Sequence, residues 1–156
     1  MSEHRAKILW KKDSSDFSKG KYSRTHTWTF DGGLTVPASS SPAAVPVPLS
    51  NPANVDPEEA YVASLSSCHM LTYLYVAYRR GFQIESYEDD AVGTLTKNER
   101  GIPWVSKVVL NPVITYGGDK RPSAEEEAAM HHAAHEQCFI SNSVKSEIVV
   151  GTPGAG

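Results

Sequence analysis

Cys68 and Cys138 are the only cysteines in this chain, and each lies in a stretch that reads as an apolar helix. One dithiol pair can run a two-electron cycle, in which a thiolate attacks an oxidant and the second thiol resolves the product as a disulfide. The reactive form is the thiolate, and an ordinary pKa of about 8.5 leaves only a few per cent of it at neutral pH. A neighbouring cation is therefore needed. The candidates are Arg24 at the start of the second predicted strand, the pair Arg79 and Arg80, and His69, His131, His132 and His135. An arginine suits the task best, because it stays charged at every working pH and its planar fork can also donate to an oxygen of the oxidant. A carboxylate such as Glu58 would then orient it.

Plainer roles exist for the same residues. A buried free cysteine is a common small hydrophobe, Glu58 suits the first turn of a helix through the macrodipole, and Arg24 could be a solvated strand residue. His131, His135 and Cys138 are spaced by four and three residues along one helical face. That spacing could place metal ligands, with His69 or Cys68 joining from another helix, although no fourth ligand is evident.

At 156 residues and 17.0 kDa the chain fits one domain, 1–156, able to bury a core without disulfides. A formal charge of −3, a pI near 6.0 and scattered basic residues give no argument for a nucleic-acid partner. The start, MSEHRAKILWKK, lacks a signal-peptide core, and nowhere do about 18 apolar residues run together as a membrane span requires. A cytoplasmic protein without membrane partners is expected. In that reducing compartment a disulfide is usually transient and functional.

The elements that must position these residues follow from local patterns. Lys7 to Lys11 and Thr25 to Phe30 read as strands, and Asp31-Gly32-Gly33 as a turn into Leu34-Thr35-Val36. Residues 37–57 hold six of the ten prolines and read as an extended loop, of a length that is commonly functional. Asp56 as N-cap, Pro57 at the first position and Glu59 as capping-box partner open a long helix that ends at Gly81, apolar or small on nearly every side and so expected to be buried on most faces. Strands follow at Gln83 to Tyr87, Ala91 to Lys97, Trp104 to Leu110 and Val113 to Tyr116, with a turn at residues 97–101 making a hairpin of the middle two. Ser123 and Glu126 form a second capping box for a helix reaching about Cys138, and Lys145 to Val150 is a last strand before a flexible tail, 151–156. The sum is α+β, with antiparallel sheets and two principal helices.

The segment Asp56-Pro57-Glu58-Glu59-Ala60-Tyr61-Val62-Ala63-Ser64-Leu65-Ser66-Ser67-Cys68, the later His135-Glu136-Gln137-Cys138-Phe139-Ile140-Ser141-Asn142, and the order of elements around them resemble the OsmC/Ohr family of osmotically inducible and organic hydroperoxide resistance proteins. The resemblance covers almost the whole chain. It implies the OsmC-like fold, with Cys68 as peroxidatic nucleophile and Cys138 as resolving residue. It also implies an arginine from the N-terminal strands, matched by Arg24, and a glutamate ten residues before the first cysteine, matched by Glu58. Phe139 stands where family members often carry proline, and residues 45–54 lack the glycine-rich form of the organic hydroperoxide branch. The chain thus looks closer to the OsmC-like branch.

The expected activity is that of a thiol-dependent peroxidase in oxidative-stress defence. A hydroperoxide would be the substrate, a dithiol the reductant, and no haem, flavin or metal would be required because sulfur carries the electrons. A non-catalytic or metal-binding stress protein on the same fold is the alternative. On one continuous helix Glu58 and Cys68 would stand about 15 Å apart along the axis and roughly 80° apart around it. Two such helices packed antiparallel across a two-fold axis would bring the glutamate of one chain beside the cysteine of the other. An intertwined homodimer with composite sites is expected, as the resemblance also implies.

Overall fold

The longest helix begins where its capping residues dictate. In a computed structural model, which describes residues 1–13 and 16–151, Asp56 Oδ1 accepts the Glu59 N–H at 2.8 Å and the Glu59 carboxylate accepts the Asp56 N–H at 3.1 Å. This reciprocal pair satisfies two donors that a helix start leaves orphaned. It opens α1, Pro57–Arg79, a continuous helix of 23 residues. Gly81 adopts φ +77°, and its N–H and that of Phe82 return to the carbonyls of Tyr78 and Ala77 at 3.0 Å. Only a residue free of Cβ strain ends a helix this way cheaply.

Leu65, His69, Tyr73, Val76 and Ala77 form the buried stripe of α1. The expectation of burial on most faces does not hold within one chain: Leu71, Tyr75 and Tyr78 are 61%, 55% and 74% exposed. Their i, i+4, i+7 spacing makes a second, bare apolar stripe.

The chain forms two compact units, one ending at Ala60 and the other beginning at Tyr61. In the first, β1 (Ala6–Leu9), β2 (His26–Phe30) and β3 (Thr35–Ala38) make an antiparallel sheet in that order. Trp28 pairs with Ile8 on one side and Val36 on the other. Gly33, at φ +88°, closes the predicted turn by donating to Phe30 O at 2.9 Å. Pro37, expected in the loop, instead sits inside β3, which is an edge strand where a missing N–H is tolerated. The proline-rich segment then folds back on itself. Ser39 N–H reaches Val55 O at 3.0 Å, Val55 N–H reaches Pro37 O at 3.2 Å, and Asn51 N–H reaches Ser39 Oγ at 2.9 Å.

The second unit holds two sheets. β4 (Gln83–Asp89) pairs with β7 (Pro112–Gly117), and β5 (Val92–Lys97), β6 (Pro103–Leu110) and β8 (Glu147–Val150) pair in that order. All ladders are antiparallel except β6 with β8, which is parallel. The Ser123–Glu126 capping box forms and opens α2, Ala124–Gln137. Tyr73, Val76 and Ala77 pack with Phe82, Met130 and Ala134 in one core; Leu65 packs with Val108 and Leu110 in another. A Cβ on Gly93 would lie 2.5 Å from Val62 Cγ2, so the glycine is what allows α1 to approach β5. Two helices and mainly antiparallel sheets agree with the α+β expectation. Of the tail expected to be flexible, residues 152–156 lie outside the described residues.

Candidate functional site

Cys68 occupies the middle of α1 and is half-buried, whereas Cys138 caps the C-terminus of α2 and is fully buried. The two thiols influence each other's ionisation, and both are free. Helix α2 stops there because the chain leaves helical geometry: Cys138 has φ −70° and ψ 116°, with its N–H still donating to Ala134 O at 2.9 Å. A short turn of 3-10 helix, Ser141–Ser143, follows. Asn142 locks this turn by donating from Nδ2 to the carbonyls of Glu136 and Cys138, both at 2.9 Å, while its backbone N–H reaches Cys138 O at 3.1 Å.

The turn surrounds the sulfurs with backbone donors. Ser141 N–H donates to Cys138 Sγ at 3.4 Å, and the backbone of Ile140 and Phe139 acts to lower the Cys68 thiol. Burial pushes the Cys68 thiol up, and its hydrogen bond to Cys138 adds to that rise. Burial acts on Cys138 in the same sense, but the bonds from Cys68 and Ser141 outweigh it and lower that thiol. The pair thus favours one shared negative charge and resists a second. These backbone donors were not foreseen from sequence, where amides carry no signature beyond the helix stop.

Next to Cys68, His69 turns into the core. It is fully buried, and its Nε2 lies 3.0 Å from His131 Nδ1, one nitrogen donating and the other accepting. Desolvation holds both imidazoles neutral, with pKa values lowered to about 4. Tyr73 stands at 4.3 Å, ring centre to centre, from His131 and exchanges a 2.6 Å hydrogen bond with Tyr116. Among the described residues, no group of three or more His, Cys, Asp or Glu is placed to hold a metal ion. The stripe of His131, His135 and Cys138 therefore does not converge on one centre.

In the first unit, Arg24 lies just before β2 and is half-buried. Its backbone N–H donates to Leu49 O at 2.8 Å, and its guanidinium donates to the carbonyls of Gly20, at 3.2 Å, and Tyr22. The guanidinium carbon sits 3.6 Å above the centre of the Tyr22 ring, a cation–π contact. Arg24 and Glu58 line one cavity of about 540 Å³. Among the described residues no ion pair joins them: carbonyls and the Tyr22 ring hold the arginine instead. Trp10 and Phe17 line the same cavity.

Comparison with known proteins agrees with this architecture. The model of the family described as OsmC-like protein matches residues 50–152. An OsmC-like protein of unknown function from Vibrio cholerae is 53% identical, with 97% of this chain and 99% of that one covered at a TM-score of 0.94. An organic hydroperoxide resistance protein from Elizabethkingia anophelis is 18% identical over 96% and 93% of the two chains, with a TM-score of 0.70. The organic hydroperoxide resistance protein OhrB of Bacillus subtilis is 19% identical over 97% of each chain, with a TM-score of 0.65; these two show the fold alone. None of the curated proteins matches. No helix of the described residues is long and apolar enough to cross a membrane. By the match over most of its length and its kinship with the Vibrio cholerae protein, the chain belongs to the OsmC-like family.

Proposed function

We propose that the protein is a thiol-dependent peroxidase that reduces hydroperoxides in oxidative-stress defence. The observation that carries this reading is the coupling of the free Cys68 and Cys138 thiols, with the Ser141 N–H donating to Cys138 Sγ at 3.4 Å. Relatives in fold named as organic hydroperoxide resistance proteins support it.

In the first step the Cys68 thiolate attacks the terminal oxygen of the hydroperoxide. The O–O bond breaks, the sulfur becomes sulfenic acid, and the leaving alkoxide takes a proton and departs as alcohol, or as water from hydrogen peroxide. Cys138 then attacks the sulfenic sulfur, forming the Cys68–Cys138 disulfide and releasing water. A dithiol reductant exchanges with this disulfide and returns both thiols. Burial pushes Cys68 up, so a cation must favour its thiolate. Arg24 supplies that charge and donates to the peroxide oxygens. Glu58, the carboxylate in the same cavity as Arg24, is its orienting partner during turnover.

The protein works as a homodimer in this reading. The bare stripe of Leu71, Tyr75 and Tyr78 supports it, since a long helix does not leave such a face wet without a partner. A cytoplasmic setting, where dithiol reductants are maintained, suits the cycle.

The test is consumption of cumene hydroperoxide with dithiothreitol as reductant. Wild type turns over, and Cys68→Ser does not. Full activity in Cys68→Ser overturns the proposal.

A further inference from the structure

We infer that Ser141 sets the direction of the reductive half of the cycle: the reductant attacks Cys68, and Ser141 receives the Cys138 thiolate that leaves. This deepens the peroxidase reading above and takes from it only the Cys68–Cys138 disulfide. Cys138 is fully buried whereas Cys68 is half-buried, so an external thiol reaches the Cys68 sulfur first. In thiol–disulfide exchange the sulfur that is not attacked departs with the electron pair, and it departs faster the better its anion is held.

Ser141 is built to hold that anion. Its backbone N–H donates to Cys138 Sγ at 3.4 Å, and among the described residues its buried hydroxyl oxygen has no hydrogen-bond partner. An unpartnered buried hydroxyl is costly, and a partner that forms during the reaction accounts for it. One rotation about the Cα–Cβ bond of Ser141 carries Oγ toward the sulfur that its N–H already touches. A thiol or disulfide sulfur accepts weakly, whereas a thiolate accepts strongly. The hydroxyl therefore gains its bond as the S–S bond breaks, and an interaction made only then speeds the step. The direction of the Cys138 shift agrees, since Ser141 lowers that thiol through both side chain and backbone. The turn keeps Ser141 in place. Asn142 Nδ2 ties it to the carbonyls of Glu136 and Cys138, and Ser143 Oγ donates to Phe139 O at 2.7 Å.

A thiolate of the reductant attacks Cys68 Sγ, the bond to Cys138 breaks, and its electron pair leaves on Cys138. The second thiol of the reductant then displaces Cys68 from the mixed disulfide, and the reductant closes to its own disulfide. Two electrons pass to the protein, and the two protons of the reductant go to the two cysteines.

The experiment forms the disulfide in the full chain with diamide, so that no peroxide takes part. Reduction by dithiothreitol is followed by acid quench, alkylation and intact mass. The second-order rate constant falls roughly tenfold in Ser141→Ala and recovers in Ser141→Thr, which returns a hydroxyl. In a Cys68→Ser background, Ser141→Ala moves the Cys138 thiol to higher pH in an ultraviolet titration, a shift that a merely structural residue would not produce. In wild type quenched during reduction by glutathione, the adduct lies on the Cys68 peptide. An unchanged rate or titration in Ser141→Ala, an adduct on Cys138, or cysteines left unjoined by diamide overturns the inference. If wild type consumes no hydroperoxide while the diamide-formed disulfide behaves as stated, the peroxidase reading fails and the role of Ser141 stands.

Discussion

Ser141 donates its backbone N–H to Cys138 Sγ at 3.4 Å, so the sulfur at the end of α2 is held by the turn that follows it. Asn142 in turn fastens the turn to the helix through two side-chain bonds. Asn142→Ala removes both bonds at once, leaving the Glu136 carbonyl without that donor. The expected cost is roughly 1–3 kcal/mol, read as a lower denaturant midpoint at unchanged m-value. Loosening the turn also weakens the donors that favour the thiolate, so the first thiol ionisation moves to higher pH in an ultraviolet titration. A variant that titrates like wild type shows that the turn does not set thiol acidity.

Arg24 is held above Tyr22 by its carbonyl contacts, and its proposed task is to favour the Cys68 thiolate against burial. Arg24→Met is expected to slow the reaction of reduced protein with cumene hydroperoxide by roughly 100-fold or more at neutral pH. Raising the pH should recover part of the loss, because the thiolate then forms without the cation. A rate within a few-fold of wild type removes Arg24 from the mechanism.

His69 and His131 give acid sensitivity a defined window. Both are free to protonate in the unfolded chain near pH 6.5 but are held neutral down to about pH 4 when folded. Between those values the unfolded chain binds more protons, so stability present above pH 6.5 is lost as pH falls and levels off below about 4. For His69 the loss reaches roughly 3 kcal/mol. His69→Leu should flatten this part of the urea-midpoint profile from pH 7 to 4. An unchanged slope in that variant places the acid sensitivity elsewhere.

Leu71 and Tyr75 stand on the bare stripe of α1. Introducing charge there, as Leu71→Glu with Tyr75→Glu, costs the separate chain little because both side chains are already exposed. Sedimentation velocity at micromolar concentration should show a dimer in wild type and a 17.0 kDa species in the double variant. A wild-type protein that sediments as the single chain contradicts the homodimer.

How much the sequence revealed depended on how local each determinant is. The capping boxes of Asp56 with Glu59 and Ser123 with Glu126 lie within four residues and formed as read. So did the β5–β6 hairpin, whose turn is closed by Asn98 Oδ1 accepting from Arg100 and Ile102. The parallel pairing of β8 with β6 depends on partners remote in sequence, and a four-residue strand has no pattern that encodes direction. Pro37 reads as a loop residue in the sequence because edge position is a property of the sheet, not of the residue. His69 has the look of any helical histidine, and only its stacking and hydrogen bond with His131 reveal a neutral pair. Of the candidate site, Cys68 and Cys138 stand out from residue type alone as the two cysteines of the sequence. The backbone of residues 139–141 does not, because its placement comes from the path of the chain.

The most direct measurement of the thiol cycle is the intact mass of fully reduced protein after one equivalent of cumene hydroperoxide, with no reductant present. The account predicts that wild type loses two hydrogens, with the Cys68 and Cys138 peptides joined, and that Cys138→Ser gains one oxygen on Cys68. Wild-type protein recovered with its mass unchanged and both thiols free would contradict it.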